Sequence, residues 1–258
     1  MFDRRRFLKI AGLSALGLGA GSAIGVAEAL AAPKKDPYSA NAHALHAGRW
    51  AMVIDTRKFE TPEDFQKLIT ACHKQHNVPD IPNDQHIMWL WTDKYEHTFP
   101  EQANNHLSDE VKERDFLLLC NHCENPPCVR VCPTKATYKR PDGIVAMDYH
   151  RCIGCRFCMA GCPYGARSFN YGNPREYLKD ITNPAFPTRM RGVVEKCNFC
   201  VERLAQGLMP SCVEASEGAI VFGDLNDPDS EVRQVLAENF TIRRKPSLGT
   251  QPGVYYII

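Results

Sequence analysis

The sequence predicts an α+β fold of short strands and few helices, organised around its cysteines. Three observations carry that expectation. Twelve cysteines stand among 258 residues, eleven of them in three tight groups or one short loop beyond such a group. The β-forming runs are short and scattered, at Trp50–Asp55, Ile144–Met147, Arg167–Tyr171 and Ala219–Leu225. A segment opening at Thr61 has helical periodicity, with Phe65, Leu68, Ile69 and Cys72 at i, i+3, i+4, i+7. Thr61 is placed as its N-cap, Pro62 at the first helical position, and Glu63 and Asp64 at the positive end of the dipole. The periodicity turns Cys72 inward.

Residues 1–31 have the parts of a twin-arginine signal peptide: Arg4-Arg5-Arg6-Phe7-Leu8-Lys9, a Gly- and Ala-rich apolar stretch, and the small-residue run Ala29-Leu30-Ala31. Export of an already folded chain is therefore expected, to the periplasm or the outer face of the membrane. A retained leader would serve as an anchor, since Ile10 to Ala32 approaches the roughly 20 apolar residues that span a bilayer. Of the net charge of +1, the leader contributes +2, leaving −1 for the remainder. A near-neutral body without a basic stripe argues against nucleic acid as a partner.

Beyond the leader the order is an N-terminal arm (32–49), the first strand and helix (50–76), an insertion rich in Pro, Asn and charge (77–115), the cysteine-dense centre (116–170), a loop-rich insertion (171–189), the last cysteine group (190–225) and a C-terminal extension (226–258). Trp89-Leu90-Trp91 with Tyr95 forms an aromatic island, expected to pack a surface strand on the core, with a docking surface as the other reading. The tail from Pro246 to Ile258, with two prolines and two glycines, is expected to be extended along a surface.

An exported chain with many cysteines raises the prospect of disulfides. Cysteine here is about one residue in twenty, below the roughly 8–10% of disulfide scaffolds. The spacing is that of metal centres. Cys120-x2-Cys123-x4-Cys128-x3-Cys132-Pro133 is followed by Cys152-x2-Cys155-x2-Cys158-x3-Cys162-Pro163. In the latter, bacterial ferredoxin spacing, three cysteines wrap corners of one [4Fe–4S] cube and the fourth, before proline, reaches the other cube. Two such groups interlock. Cluster A is expected from Cys120, Cys123, Cys128 and Cys162, and cluster B from Cys152, Cys155, Cys158 and Cys132. The third group, Cys197-x2-Cys200-x11-Cys212, has three members, and Cys72 is the remaining cysteine. The same sharing rule makes those four the ligands of cluster C, so three [4Fe–4S] clusters use all twelve.

Zinc has no use for the Cys-Pro interlock. No Cys-x-x-Cys-His occurs, which excludes covalently attached haem c. His122 lies in the first cluster loop, either exposed or placed to tune a potential. His43, His46, His73, His76, His86, His97, His106 and His150 form no ligand set in the sequence. With no nucleophile–base pair in view, the protein is expected to have no catalytic site of its own.

The cysteine pattern, with Glu195-Lys196-Cys197 through Cys212-Val213, resembles the double-ferredoxin electron-transfer subunits of formate dehydrogenase, dimethyl-sulfoxide reductase and polysulfide reductase over about residues 50–225. The resemblance implies two ferredoxin-like modules related by a pseudo-dyad, one from 116–170 and the other from 50–76 with 190–225. Two linked departures stand out. Phe59 follows Lys58 where the first motif should begin with cysteine, and Ser216-Glu217 stands where the fourth should end in Cys-Pro. The four missing thiolates belong to one cluster, whose space Phe65, Leu68 and Ile69 are expected to fill. With its leader, the Trp91–His97 stretch and the Tyr255-Tyr256 ending, the sequence also looks like the periplasmic iron–sulfur subunits of membrane complexes serving dissimilatory sulfite reduction and of the high-molecular-weight cytochrome complex. That likeness implies an integral membrane subunit handling quinone and a multihaem cytochrome c as partners. The alternative is the small subunit of an exported molybdopterin oxidoreductase; a third reading makes the clusters purely structural.

Overall fold

The structure is a computed structural model and describes residues 39–178 and 183–258. The leader, the first part of the arm and residues 179–182 lie outside the described residues.

The main sheet is assembled from distant parts of the sequence. Strand β1 (Trp50–Asp55) is buried at every position, and helix α1 (Pro62–His76) follows it after a short 3-10 turn. The Asp64 carboxylate accepts the backbone N–H groups of Thr61 and Glu60 at 2.9 and 3.1 Å, which caps the first turn of α1 as its sequence predicts. Asn77 ends the helix with a left-handed backbone (φ 47°). Phe65, Leu68 and Cys72 are buried along one face, and each large apolar side chain contributes about 2 kcal/mol by leaving water.

Next come β2 (Leu90–Lys94), α2 (Tyr95–Thr98), α3 (Asp109–Glu113) and β3 (Asp115–Leu119), with β2 and β3 paired antiparallel. The central cysteine region holds α4 (Pro127–Arg130), the hairpin pair β4 (Thr137–Lys139) and β5 (Val145–Met147), α5 (Phe157–Ala160) and β6 (Ser168–Phe169). Strand β6 pairs antiparallel with β7 (Val194–Glu195), joining the centre to the last cysteine group. That group carries α6 (Val201–Leu204) and α7 (Ser211–Ala215) before β8 (Ile220–Asp224), α8 (Glu231–Glu238), β9 (Thr241–Ile242) and β10 (Val254–Ile257).

The C-terminal tail departs from expectation. It does not lie along a surface: β10 is an interior strand of a four-stranded sheet ordered β8-β1-β10-β9, parallel to β1. Val254 and Tyr256 are 0% and 1% exposed, and the Tyr256 hydroxyl donates to the Leu117 carbonyl. The reason is apolar alternation in a short strand whose neighbour, β1, is buried along its whole length and needs cover on both edges. Helix α8 was also unforeseen. Its N-cap Ser230 accepts the Arg233 N–H, and Val232 buries against Ala51 and Val53 of β1.

The aromatic island divides. Trp89 is fully buried, donating its indole N–H to Glu195 at 2.8 Å, whereas Trp91 is partly exposed on a groove between α1 and residues 78–92. No helix among the described residues is long and apolar enough to cross a membrane.

Candidate metal centres

In three of the four Cys-x-x-Cys units the residue before the second cysteine turns left-handed, at His122 (φ 40°), Gly154 (φ 70°) and Phe199 (φ 53°), and in the fourth, Cys155 to Cys158, the turn falls at Arg156 (φ 61°). The reversal brings two thiols of a short loop onto one side. For the non-glycine residues the conformation costs of order 1–2 kcal/mol each, offset by the contacts that hold the loops. Gly154 has no alternative: a Cβ there would sit 2.4 Å from the Gly192 carbonyl oxygen.

The first loop leaves β3 at Cys120, passes Cys123 and enters α4 with Cys128. Together with Cys162, just after α5, these three cysteines line one small pocket, beside Tyr164, Val145 and Arg167. Cys132, Cys152, Cys155 and Cys158 line a second, beside Thr137, Met147 and Val194. The crossing follows from α4 packing on α5: each helix begins beside its own loop and delivers the cysteine at its far end to the neighbour. Val131 of the first group touches Gly161 of the second, where a Cβ would come within 3.1 Å.

Cys72, Cys197, Cys200 and Cys212 are all buried, at 4–8% exposure. Burial pushes the Cys72 thiol well up, and neighbouring Cys197 and Cys212 push it further; Cys200 is raised by burial and then by Glu202, Cys212, Cys72 and Cys197. Packing of α1 on α7 is what brings Cys72 across more than a hundred residues to this group. All twelve cysteines are free thiols. Soft sulfur donors in sets of four, eight of the twelve buried, Cys132, Cys152 and Cys162 partly buried and Cys155 exposed, suit iron–sulfur cubes. When bound, each cube would exchange single electrons.

Several neighbours escape the sequence reading. His76 is fully buried beside the third group, its Nδ1 2.8 Å from the Cys72 carbonyl oxygen and 3.7 Å from the Cys72 sulfur. Its Nε2 lies 2.9 Å from Glu202 Oε1, a contact that requires a proton between the two atoms. His76, Cys200 and Glu202 place their donor atoms within 4.8 Å of one another, so this histidine does join a cluster of ligand-type groups. Its place on the Cys72 face, four residues on, was the available signal. His122 is buried too: its Nδ1 accepts the Val145 N–H at 3.1 Å and its ring stacks on Phe199 at 3.7 Å. Burial, with the charges of Lys196 and Arg167, holds it well below the ordinary histidine range and hence neutral.

The tail grips the first pocket. Gly253 N–H donates to Asn121 O at 2.7 Å, Glu124 N–H to Gln251 O at 2.9 Å and Asn125 N–H to Thr250 O at 3.0 Å. The Thr250 hydroxyl also bonds the Tyr164 hydroxyl. Nothing in the tail sequence points to a metal.

Side chains pack the region where the resemblance implies four cysteines that this sequence lacks. Phe59 stacks on Phe65 at 4.8 Å, Leu68 is fully buried, and Ile69 turns instead to the groove beside Trp91.

Interlocked four-cysteine pockets on a small-sheet α+β frame define an iron–sulfur protein of the [4Fe–4S] kind. Residues 115–175 match the family of the 4Fe-4S dicluster domain. The sequence is 40% identical to the Hdr-like menaquinol oxidoreductase iron-sulfur subunit 1 of Archaeoglobus fulgidus, over 99% of this protein and 98% of the relative. It is 37% identical to the menaquinone reductase iron-sulfur cluster-binding subunit of Nitratidesulfovibrio vulgaris, over 81% and 88%. The B subunit of the polysulfide reductase of Wolinella succinogenes is 43% identical, over 72% and 84%. This protein belongs to the same family of iron–sulfur electron-transfer subunits of oxidoreductase complexes.

Proposed function

We propose that the protein carries three [4Fe–4S] clusters and relays electrons between a quinone-interacting membrane subunit and a multihaem cytochrome c on the outer face of the membrane, in sulfur-compound respiration. The observation that carries this reading is the sorting of all twelve cysteines into three groups of four, two lining separate pockets and the third buried around α1 and α7. Cys120, Cys123, Cys128 and Cys162 would hold cluster A; Cys132, Cys152, Cys155 and Cys158 cluster B; Cys72, Cys197, Cys200 and Cys212 cluster C. The names of the relatives, menaquinol oxidoreductase and menaquinone reductase, support a quinone-handling partner.

The B loop is the natural port. Cys155 is the exposed cysteine, flanked by Ile153 at 67% and Phe157 at 59% exposure. Exposed Arg151 and Arg156 stand two and one residues from these apolar tips in the sequence, positive charge suited to an acidic partner surface. The pseudo-dyad of two ferredoxin-like modules, with A and B in one and C in the other, orders the wire as B, A, C. A neutral His122 ring and the tail contacts at Asn121 to Asn125 keep water from the middle of that path.

Purification from detergent-solubilised membranes tests the reading. A multi-spanning partner and a cytochrome with c-type haem should accompany the protein; recovery with a molybdopterin subunit instead would reject it.

A further inference from the structure

Three arginines are buried among the described residues, and of these Arg244 donates to the Thr98 carbonyl and lies over the Tyr164 ring. Arg189 meets the Glu195 carboxylate at 2.7 Å, both side chains sealed from water. Arg167 is 4% exposed and has no carboxylate partner among the described residues. Its Nη1 donates to the Thr137 hydroxyl at 3.1 Å and lies 3.9 Å from the Met147 sulfur, while its Nη2 is buried with no hydrogen-bond partner. An unpaired buried ion of this kind costs several kcal/mol even after relaxation, so some negative charge must compensate it.

The surroundings identify that charge. Arg167 lines the pocket of Cys120, Cys123, Cys128 and Cys162, and its partners Thr137 and Met147 line the pocket of Cys132, Cys152, Cys155 and Cys158. The guanidinium thus stands in the wall between the two. Helix α5 ends at Ala160 and the backbone passes Cys162-Pro163 before β6, so the turn that places Cys162 also inserts Arg167.

We propose that Arg167 is the shared counter-charge of clusters A and B, a fixed cation whose field favours the reduced form of both and leaves cluster C untouched. The inference rests on the three-cluster reading above. Each reduction adds one negative charge to a cube, and a permanent guanidinium in a low-dielectric wall stabilises that added charge. A single cation serving two centres raises both potentials together and so does not widen the gap between them.

The test is a redox titration of the full mature protein followed by electron paramagnetic resonance, after iron and sulfide have been counted. In Arg167→Gln, two of the three one-electron steps should move to more negative potential and the third should stay. The expected loss is about tenfold or more in each reduction equilibrium, which is about 59 mV per electron. Arg167→Lys should return both steps toward the parent values. If Arg167→Gln does not retain its iron, Met147→Glu sets a carboxylate beside the guanidinium with Arg167 in place, and Met147→Gln is its neutral control. The same two steps should then fall with Glu and not with Gln. No movement, movement of one step alone, or equal movement of all three overturns the proposal. A parent protein whose iron count does not fit three clusters rejects the three-cluster reading instead.

Discussion

The Ser216 hydroxyl donates to the Val213 carbonyl at 2.7 Å, and the same oxygen accepts the Ile220 N–H at 3.0 Å. It ties the end of α7 to the start of β8 at the position where a cysteine before proline would have reached a fourth cube. With Phe59 stacked on Phe65 nearby, that position is now a packed corner of the core.

Anaerobically purified mature protein should accordingly contain about twelve iron atoms and about twelve acid-labile sulfides. Ser216→Cys should add no iron, because one thiolate cannot rebuild a site lacking three others. It should lower stability by about 1–3 kcal/mol, since the Ile220 N–H loses its acceptor. Iron analysis and chemical unfolding check both; a count near sixteen would falsify the ligand sets.

The proposed electron order puts the Cys155 loop at the entry and the group of Cys72, Cys197, Cys200 and Cys212 at the far end. Cys155 lies at the surface and Cys200 is 4% exposed. In the assembled complex, Cys155→Ser should block reduction by quinol. Cys200→Ser should leave the other clusters quinol-reducible and slow transfer to a partner at the far end. Following each cluster spectroscopically after quinol addition decides the matter, and the reverse pattern would invert the orientation.

Tyr256 gives a pH test of the tail. Burial pushes its phenol up to about 12, above the unfolded value near 10. The folded state therefore binds a proton that the unfolded state releases first. The stability this contributes is present below pH about 10 and lost as pH rises toward 12. Tyr256→Phe should cost about 1–3 kcal/mol at neutral pH, leaving the Leu117 carbonyl unpaired, and should flatten the alkaline decline; denaturation monitored between pH 8 and 11 reads both. Deleting residues 246–258 should go further and strip iron from the pocket of Cys120, Cys123, Cys128 and Cys162, whose loop the tail holds.

Replacing Arg4 and Arg5 by lysine should leave the cluster-loaded precursor in the cytoplasm, because the translocon reads the arginine pair itself. Cell fractionation with an antibody to the protein tests this, and normal export of the variant would argue against passage in the folded state.

Much of the candidate site was legible because cluster ligation is written in local spacing. A loop that wraps three corners of a cube must be a few residues long, and the helix after it must carry a fourth cysteine at a set distance, so Cys120 to Cys162 can be sorted without coordinates. Cys72 was legible by a weaker signal, its place on the apolar face of α1. Its neighbour His76 was missed because a histidine on that face is as readily a core residue as a partner for Cys72 and Glu202.

The sequence by itself determined which cysteines group, where α1 begins and that the runs at 50–55, 144–147, 167–171 and 219–225 hold strands, since spacing, capping and alternation act over a few residues. Only the tertiary structure decided what stands around them. Arg167 without a carboxylate, His122 held neutral between two loops, and Gly253 bonded to Asn121 depend on segments up to some 130 residues apart meeting in space. The tail shows the reason most plainly. An edge of β1 had to be covered to satisfy its backbone, and which segment covered it was settled by which apolar strand could reach it, a property of the folded molecule that no local pattern records.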